Sequence, residues 1–357
     1  MATFPSKVNY ATGDILTATN MNDVGGAINL LDGAQFAAGV NKIINGDFSI
    51  WQRGTSFSNP ANGAYIADRF LTTYDGTGAT RTISQQTFTP GTAPVTGYEG
   101  QYFLRYAQTV AGSGNTSNQL LHKIEDVRTF AGQTITVSFW AKADSARGIT
   151  MVVNQDFGTG GSSYVFNAIS ATAFTLTTGW VRYTMSGTVA SVAGKTIGTS
   201  SNLVIGMQLP PNTSTTVIDT WGWQVEAAST ASNFQTATGT KQGELAACQR
   251  YFWRQYGNAS NVTILSTGFQ DTSSGYFPLI APVLMRGTPT GGVSANADIT
   301  LTNAGGVATT TLANFDVLYP YGAALRLATS NTLVLGQACS ARIATGATKY
   351  IELSAEL

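Results

Sequence analysis

The only histidine in the chain, His122, lies in LLHKIEDV with no serine or cysteine motif beside it. A nucleophilic triad needs an imidazole base next to a hydroxyl or thiol, and no GxSxG pattern occurs, so His122 reads as a structural residue. One histidine and two distant cysteines, Cys248 and Cys339, cannot supply the ligand spacing of a zinc site. The cysteines read as free, packed thiols. Glycoside hydrolysis needs two carboxyl groups about 5–9.5 Å apart, one of them with a raised pKa. Sequence spacing alone does not place any two of the 19 acidic residues at that separation, and no long repeat of the kind that builds a β-helix is present. The expectation is a protein without catalysis. The chain is rich instead in rings, with 6 Trp, 14 Tyr and 17 Phe.

Strands must carry those rings. Charged residues are 11% of the chain, against roughly 25% in an ordinary soluble domain. The hydrophobic fraction is 43%, Gly is present 39 times, and Thr, Ser and Asn fill the spaces between apolar residues. Thr, Val and aromatics fit pleated surfaces, and Gly-Thr and Asn-Gly pairs fit turns, so the fold is expected to be all-β. Net charge is zero and the cations are scattered, so nucleic acid and anionic membrane are not expected partners. No apolar run approaches the roughly 20 residues of a spanning helix, so membrane insertion is not expected. MATFPSKVNYATGD lacks the apolar core of a signal peptide, so Sec export is not supported.

Four segments follow from the patterning. Residues 1–40 form a leader in which Met21, Val24, Ile28 and Leu31 have three-four-three spacing, an a/d seam on a short helix. That helix either docks on its own domain or joins other chains. Residues 41–228 carry the densest strand signal. In NGDFSIWQRG, Phe48 and Ile50 are expected on one face of an opening strand and Trp51 on the other. In TITVSFWAKA, Ile135, Val137, Phe139 and Ala141 point one way and Trp140 the other; in IDTWGWQVE, Trp221, Trp223 and Val225 share a face. Residues 229–255 are a polar connector followed by GELAACQRYFWRQ, read as a short helix with Glu244 in its first turn. Residues 256–357 return to strands, ending in KYIELSAEL with Ile351, Leu353, Ala355 and Leu357 on one face, and read as a second, smaller β-sandwich.

Four stretches carry a resemblance to a known family: NKIINGDFSIWQRGTSF with ADRF after it, HKIEDVRTFAGQTITVSFWAKA, IDTWGWQVEAASTASNFQTAT and GELAACQRYFWR. In them the chain resembles bacteriophage tail-fibre and receptor-binding proteins that contain a carbohydrate-binding-module-like jelly roll. The leader YATGDILTATNMNDV is similar to the segment by which such proteins join the particle. The resemblance implies a jelly-roll sandwich, a homotrimer on the virion, and adhesion to host-surface polysaccharide. The other classes it leaves open are a capsid or tail decoration without a receptor and a polysaccharide-cleaving spike.

Residues follow from that implication. Stacking on sugar C–H faces would fall to Trp253, Tyr256, Tyr276, Tyr319 and Tyr321. The stretches NVTILSTGFQDTSSGYF and DVLYPYGAAL are the first to test. Trp51 and Trp140, as outward rings, are expected against a neighbouring subunit, with the leader seam. Jelly rolls of this type often hold a structural calcium, for which Asp47, Asp219 and Glu226 are the donors here. Light scattering checks the assembly: three times the 37.4 kDa chain mass is expected, and a clean monomer contradicts the trimer.

Overall fold

A computed structural model describes residues 39–357 except 96–97, 115–116 and 212. Met21, Val24, Ile28 and Leu31 lie outside the described residues. The first unit is built from β1 (Ser56–Ser58), β2 (Phe70–Tyr74), β3 (Thr80–Thr87), β4 (Tyr102–Val110), β5 (Asn118–Glu125), β6 (Thr134–Ala143), β7 (Arg147–Asp156), β8 (Val165–Leu176), β9 (Val181–Thr188), β10 (Asn202–Gln208) and β11 (Thr216–Glu226). They form a six-stranded sheet, β1-β3-β4-β11-β6-β9, and a five-stranded sheet, β2-β5-β10-β7-β8. Neighbours in both sheets are antiparallel. The chain passes back and forth between the two layers, giving a jelly-roll β-sandwich. Between the sheets lie Phe70, Leu120, Val137, Phe139, Met151, Ile205 and Trp223 in one buried cluster. The Trp223 ring meets Phe70 edge-on at 5.5 Å and Phe139 at 5.7 Å.

The outward face of the six-stranded sheet is also covered, and this corrects the place given to Trp140. Strand β11 carries a bulge between Trp221 and Gln224, with Gly222 at φ +66°. The extra residue puts Trp223 on the core side and leaves Trp221 outside, opposite Trp140 in register. An unbroken period of two puts Trp221 and Trp223 on one face; the bulge separates them. Trp221 is 0% and Trp140 7% exposed, because the chain's own segments lie over them. Phe234 packs on Trp221 at 4.7 Å and Tyr98 at 5.5 Å. The connector is tied down by polar groups on the outward pleats. Thr136 Oγ1 donates to the Ala228 carbonyl at 2.8 Å, Arg182 to that of Ser232 at 2.6 Å, and the Gln235 amide donates to Gln224 Oε1 at 2.9 Å. Burying each indole contributes roughly 1.5–3 kcal/mol within one chain, so Trp140 needs no neighbouring subunit.

Trp51 is not on a strand. Residues 44–54 are turns braced by Asn45 (φ 61°), whose amide nitrogen donates to the carbonyls of Ile50 and Asp68 and whose oxygen accepts from the Ile50 amide. Asn tolerates the left-handed backbone and bonds its own chain, so the Asn-Gly pair folds the segment back rather than extending it. The Trp51 indole is half-buried, donates to the Phe48 carbonyl at 2.7 Å and stacks near Phe57. Its need for a partner surface is met by its own chain.

Helix α1 (Lys241–Gln249) starts at Thr240, whose hydroxyl caps the Gly243 amide, and Glu244 in its first turn accepts from the Asn45 amide at 2.8 Å. It ends earlier than expected: β12 (Phe252–Tyr256) takes up FWRQY as a strand. The second unit continues with β13 (Thr263–Gln270), β14 (Ser274–Ile280), β15 (Thr290–Val293), β16 (Ile299–Asn303), β17 (Gly306–Tyr319), β18 (Gly322–Thr329), β19 (Ala338–Ile343) and β20 (Tyr350–Ser354). Six of these close into a barrel, β13-β14-β18-β17-β16-β19, and β12-β20-β15 form a small sheet beside it. The smaller β unit is thus a barrel, bent closed through bulges in β13 and β17. Ile351, Leu353 and Ala355 face inward, as the alternation predicts.

An ionic joint binds the two units. Glu356 pairs with Arg53 at 3.0 Å and with the buried Arg69, and Arg53 also reaches Asp68 at 3.3 Å. Arg69 lies over the Tyr251 ring and Arg53 over Phe252. Lys123 Nζ and the Tyr65 hydroxyl both donate to the Leu357 main-chain oxygen at 2.9 Å.

Gly222 has a consequence for stability. A Cβ there would lie 2.6 Å from the Trp140 ring, on a left-handed backbone that costs a side chain about 1–2 kcal/mol. Gly222→Ala is expected to lower the unfolding free energy by about 2–4 kcal/mol in urea titration; an unchanged midpoint contradicts the bulge's role.

Candidate functional site

Two hairpins on one side of the barrel build a groove of about 340 Å³. The first joins β13 to β14 through a turn held by Asp271, whose carboxylate accepts from the amides of Ser273 (2.7 Å) and Ser274 (2.6 Å). Asp is a common residue in such turns because its side chain reaches the backbone two residues on. This register sets Phe269 opposite Tyr276, with ring centroids 6.1 Å apart. The second hairpin joins β17 to β18 through Pro320 and Tyr321, and the Tyr321 and Pro320 carbonyls accept from the Ala281 and Met285 amides. It holds Tyr319 and Tyr321 parallel, 2° between planes and 5.3 Å between centroids.

Alternation on β14 turns Phe277 and Leu279 into the barrel and Tyr276, Pro278 and Ile280 outward. Pro278 lies opposite Ala324 in register, so the floor is low between two aromatic walls. Phe269 is 63% and Tyr321 61% exposed. Polar groups gather at one end. The Tyr276 hydroxyl donates to Asp271 Oδ2 at 2.9 Å, and Arg326, the register partner of Tyr276, pairs with Asp316 at 3.1 Å. The Ser273 amide first, then the Tyr276 hydroxyl, hold the Asp271 carboxyl below its usual range, and the same bond raises the Tyr276 phenol. Aromatic walls of this kind can stack on the C–H face of a ring, with the polar end fixing its orientation.

Three sequence-predicted residues, Tyr276, Tyr319 and Tyr321, meet in this groove although 43 positions separate the first from the second. Trp253 and Tyr256 do not. Both lie on β12, Trp253 half-buried against the barrel core and Tyr256 beside Tyr350 and Arg254. Phe269, Asp271 and Ile280 were not singled out from sequence. A hairpin reading of TGFQDTSSGYF, with DTSS as its turn, pairs Phe269 with Tyr276 and would have found the first two.

The three calcium donors are not brought together. Asp219 accepts two bonds from Arg105 at 2.7 and 2.9 Å and pairs with Lys142; Glu226 accepts from Gln224 and the Ser232 amide; Asp47 accepts from the Ser49 amide and the Tyr98 hydroxyl. Among the described residues no group of three or more His, Cys, Asp or Glu is placed to hold a metal. Each carboxylate is engaged by protein donors, which corrects the calcium assignment. Cys248 and Cys339 are free and buried. His122 is fully buried, its Nε2 3.2 Å from the Ile44 carbonyl, and burial, with Arg69 nearby, holds it well below the ordinary imidazole range, so it is neutral.

No protein-family model matches the sequence, and no curated protein matches it. Solved structures similar to part of the chain include one described as CBM4 (18% identity, TM-score 0.33, 52% of this chain and 99% of that one). Another is the enzymatically active domain of tailspike protein 4 of bacteriophage CBA120 (12%, TM-score 0.34, 53% of this chain and 22% of that one). A third is the family 11 carbohydrate-binding module of Clostridium thermocellum, in complex with a mixed-linked tetrasaccharide (10%, TM-score 0.30, 49% and 98%). Likeness at these values carries no argument about a ligand, and the groove is read from its own geometry.

The carboxyl with the most catalytic pKa is outside the groove. Burial raises Asp68 from 3.8 to about 6, against the opposing pull of Arg53, but it sits in the joint between the units. Folded Asp68 keeps its proton to higher pH than unfolded Asp, so its contribution to stability is full below about pH 4 and is lost as pH rises through about 6. The difference corresponds to about 3 kcal/mol. Urea titrations are expected to show Asp68→Asn gaining up to that much on the natural protein between pH 4 and pH 8; a gap independent of pH contradicts it.

Proposed function

We propose that this protein is a non-catalytic, sugar-binding attachment protein of a bacteriophage particle, a tail fibre or receptor-binding protein that grips host-surface glycans through the barrel groove. The observation that carries the sugar reading is the parallel, exposed Tyr319–Tyr321 pair facing Phe269 and Tyr276 across one groove. The volume lies within the roughly 300–1,000 Å³ of small-ligand pockets. None of the described residues lining the groove is cationic, and Arg326 beyond its polar end pairs through Nε with Asp316, so an uncharged ligand complements it.

On this reading the groove carries out no hydrolysis; Asp271, whose carboxyl is pulled down, is unsuited to the general-acid role. The virion reading rests on the four resembling stretches. On it, residues 1–40 join the particle, the chain is a homotrimer, and three grooves compensate weak single-site affinity by effective concentration. The protein is then made in the host cytoplasm and displayed on the virion.

Titration with host-surface oligosaccharides tests the site. Tyr319→Ala with Tyr321→Ala is expected to weaken binding at least about 10-fold, a loss of about 1.4 kcal/mol, with the melting temperature held. No reducing ends are expected to be released from host polysaccharide. Unaltered affinity moves the site elsewhere, and steady release makes the protein a hydrolase.

A further inference from the structure

On the reading that the groove binds sugar, we infer that its ligand is a neutral pyranose bearing a methyl group, as a 6-deoxyhexose or an N-acetylhexosamine does. The floor and one flank of the groove, Pro278, Ala324 and Ile280, have no hydrogen-bonding side chain. Pro278 has no N–H to offer, and Ala324 is paired on its far side with Val317 of β17. A sugar hydroxyl turned to those side chains would leave water without a side-chain partner, which costs binding. A methyl group there loses nothing and gains apolar contact. Hydroxyls on the opposite edge of the same ring can meet the polar end, where Tyr276, Asp271 and Asp316 lie.

Charge narrows the class further. Arg326 is paired with Asp316, and Asp271 has no cationic partner among the described residues. A uronate or sialate would bring its carboxylate toward unneutralised Asp271 with no free cation to receive it. Neither phenol of the Tyr319–Tyr321 pair is hydrogen-bonded to another described residue, so both remain able to contact a ring edge.

Saturation-transfer NMR titration of the full chain tests this with matched free sugars: glucose and galactose, each against its 6-deoxy form, its 2-N-acetylamino form and its uronate. At least one methyl-bearing form is expected to bind roughly 5- to 100-fold more tightly than its parent hexose, the range one unmet hydroxyl costs. Preference for the 6-deoxy form assigns the floor to C6, and preference for the acetylated form assigns it to the acetamide. Ala324→Ser, which puts a hydroxyl on the half-buried floor, is expected to narrow that preference at least threefold without changing the melting temperature. Parent hexoses or uronates binding as tightly as the methyl-bearing sugars overturn the inference while leaving a sugar site in place. No binding by any sugar of either series overturns the sugar reading itself.

Discussion

Glu356 and its two arginines form the buried ionic tie between the barrel unit and the sandwich. The chain has only 19 acidic and 19 basic residues, and it commits Arg53, Arg69, Asp68 and Glu356 to one largely buried network. Charges taken out of water are costly unless each is paired, and removing one partner of such a set typically costs about 3–5 kcal/mol. Aromatic faces complete the joint, with Tyr251 under one guanidinium and Phe252 under the other. Its geometry depends on strand pairing: β20 runs between β12 and β15, which delivers Glu356 to the side of the sandwich where β2 begins. The barrel that carries the groove is thus joined to the sandwich through this network.

The sandwich, by contrast, has closed its own outer surface. A bulge at Gly222 gives β11 an indole on each side, and the connector and the Tyr98 segment cover the outer one. The Ser, Thr and Gln side chains on those outward pleats are anchors for the strap. Hydroxyls and amides bond the strap's backbone without requiring a counter-ion, and Arg182 adds a charged bond to the Ser232 carbonyl. What remains exposed and aromatic is concentrated on the barrel, at Phe269, Tyr319 and Tyr321, with a separate pair, Tyr164 and Phe166, at the start of the sandwich's edge strand β8.

Much of this was legible in the residues. Strands β6, β7, β9, β10 and β11 begin and end within a few residues of their hydrophobic runs, because clean alternation or continuous β-branched and aromatic stretches mark them. Strand β8 was not seen, since VFNAISATAFTL buries its residues irregularly as an edge strand does. Trp51 and Trp140 were misplaced for two different reasons. Asn45 in a left-handed conformation turned a supposed strand into a loop, and a bulge together with a covering connector removed the need for a neighbouring subunit. Tyr276, Tyr319 and Tyr321 were recognisable by type, but their meeting was not. It depends on β18 lying between β14 and β17, a pairing that no local spacing encodes.

The function proposed for this architecture is binding of an uncharged ring by its faces in the aromatic groove of the barrel. A crystal soaked with an oligosaccharide found to bind tests it most directly. The account predicts density for one sugar ring between the Phe269–Tyr276 wall and the Tyr319–Tyr321 wall, its polar edge toward Asp271. Density only elsewhere, for instance against Trp180 on the sandwich, would contradict it.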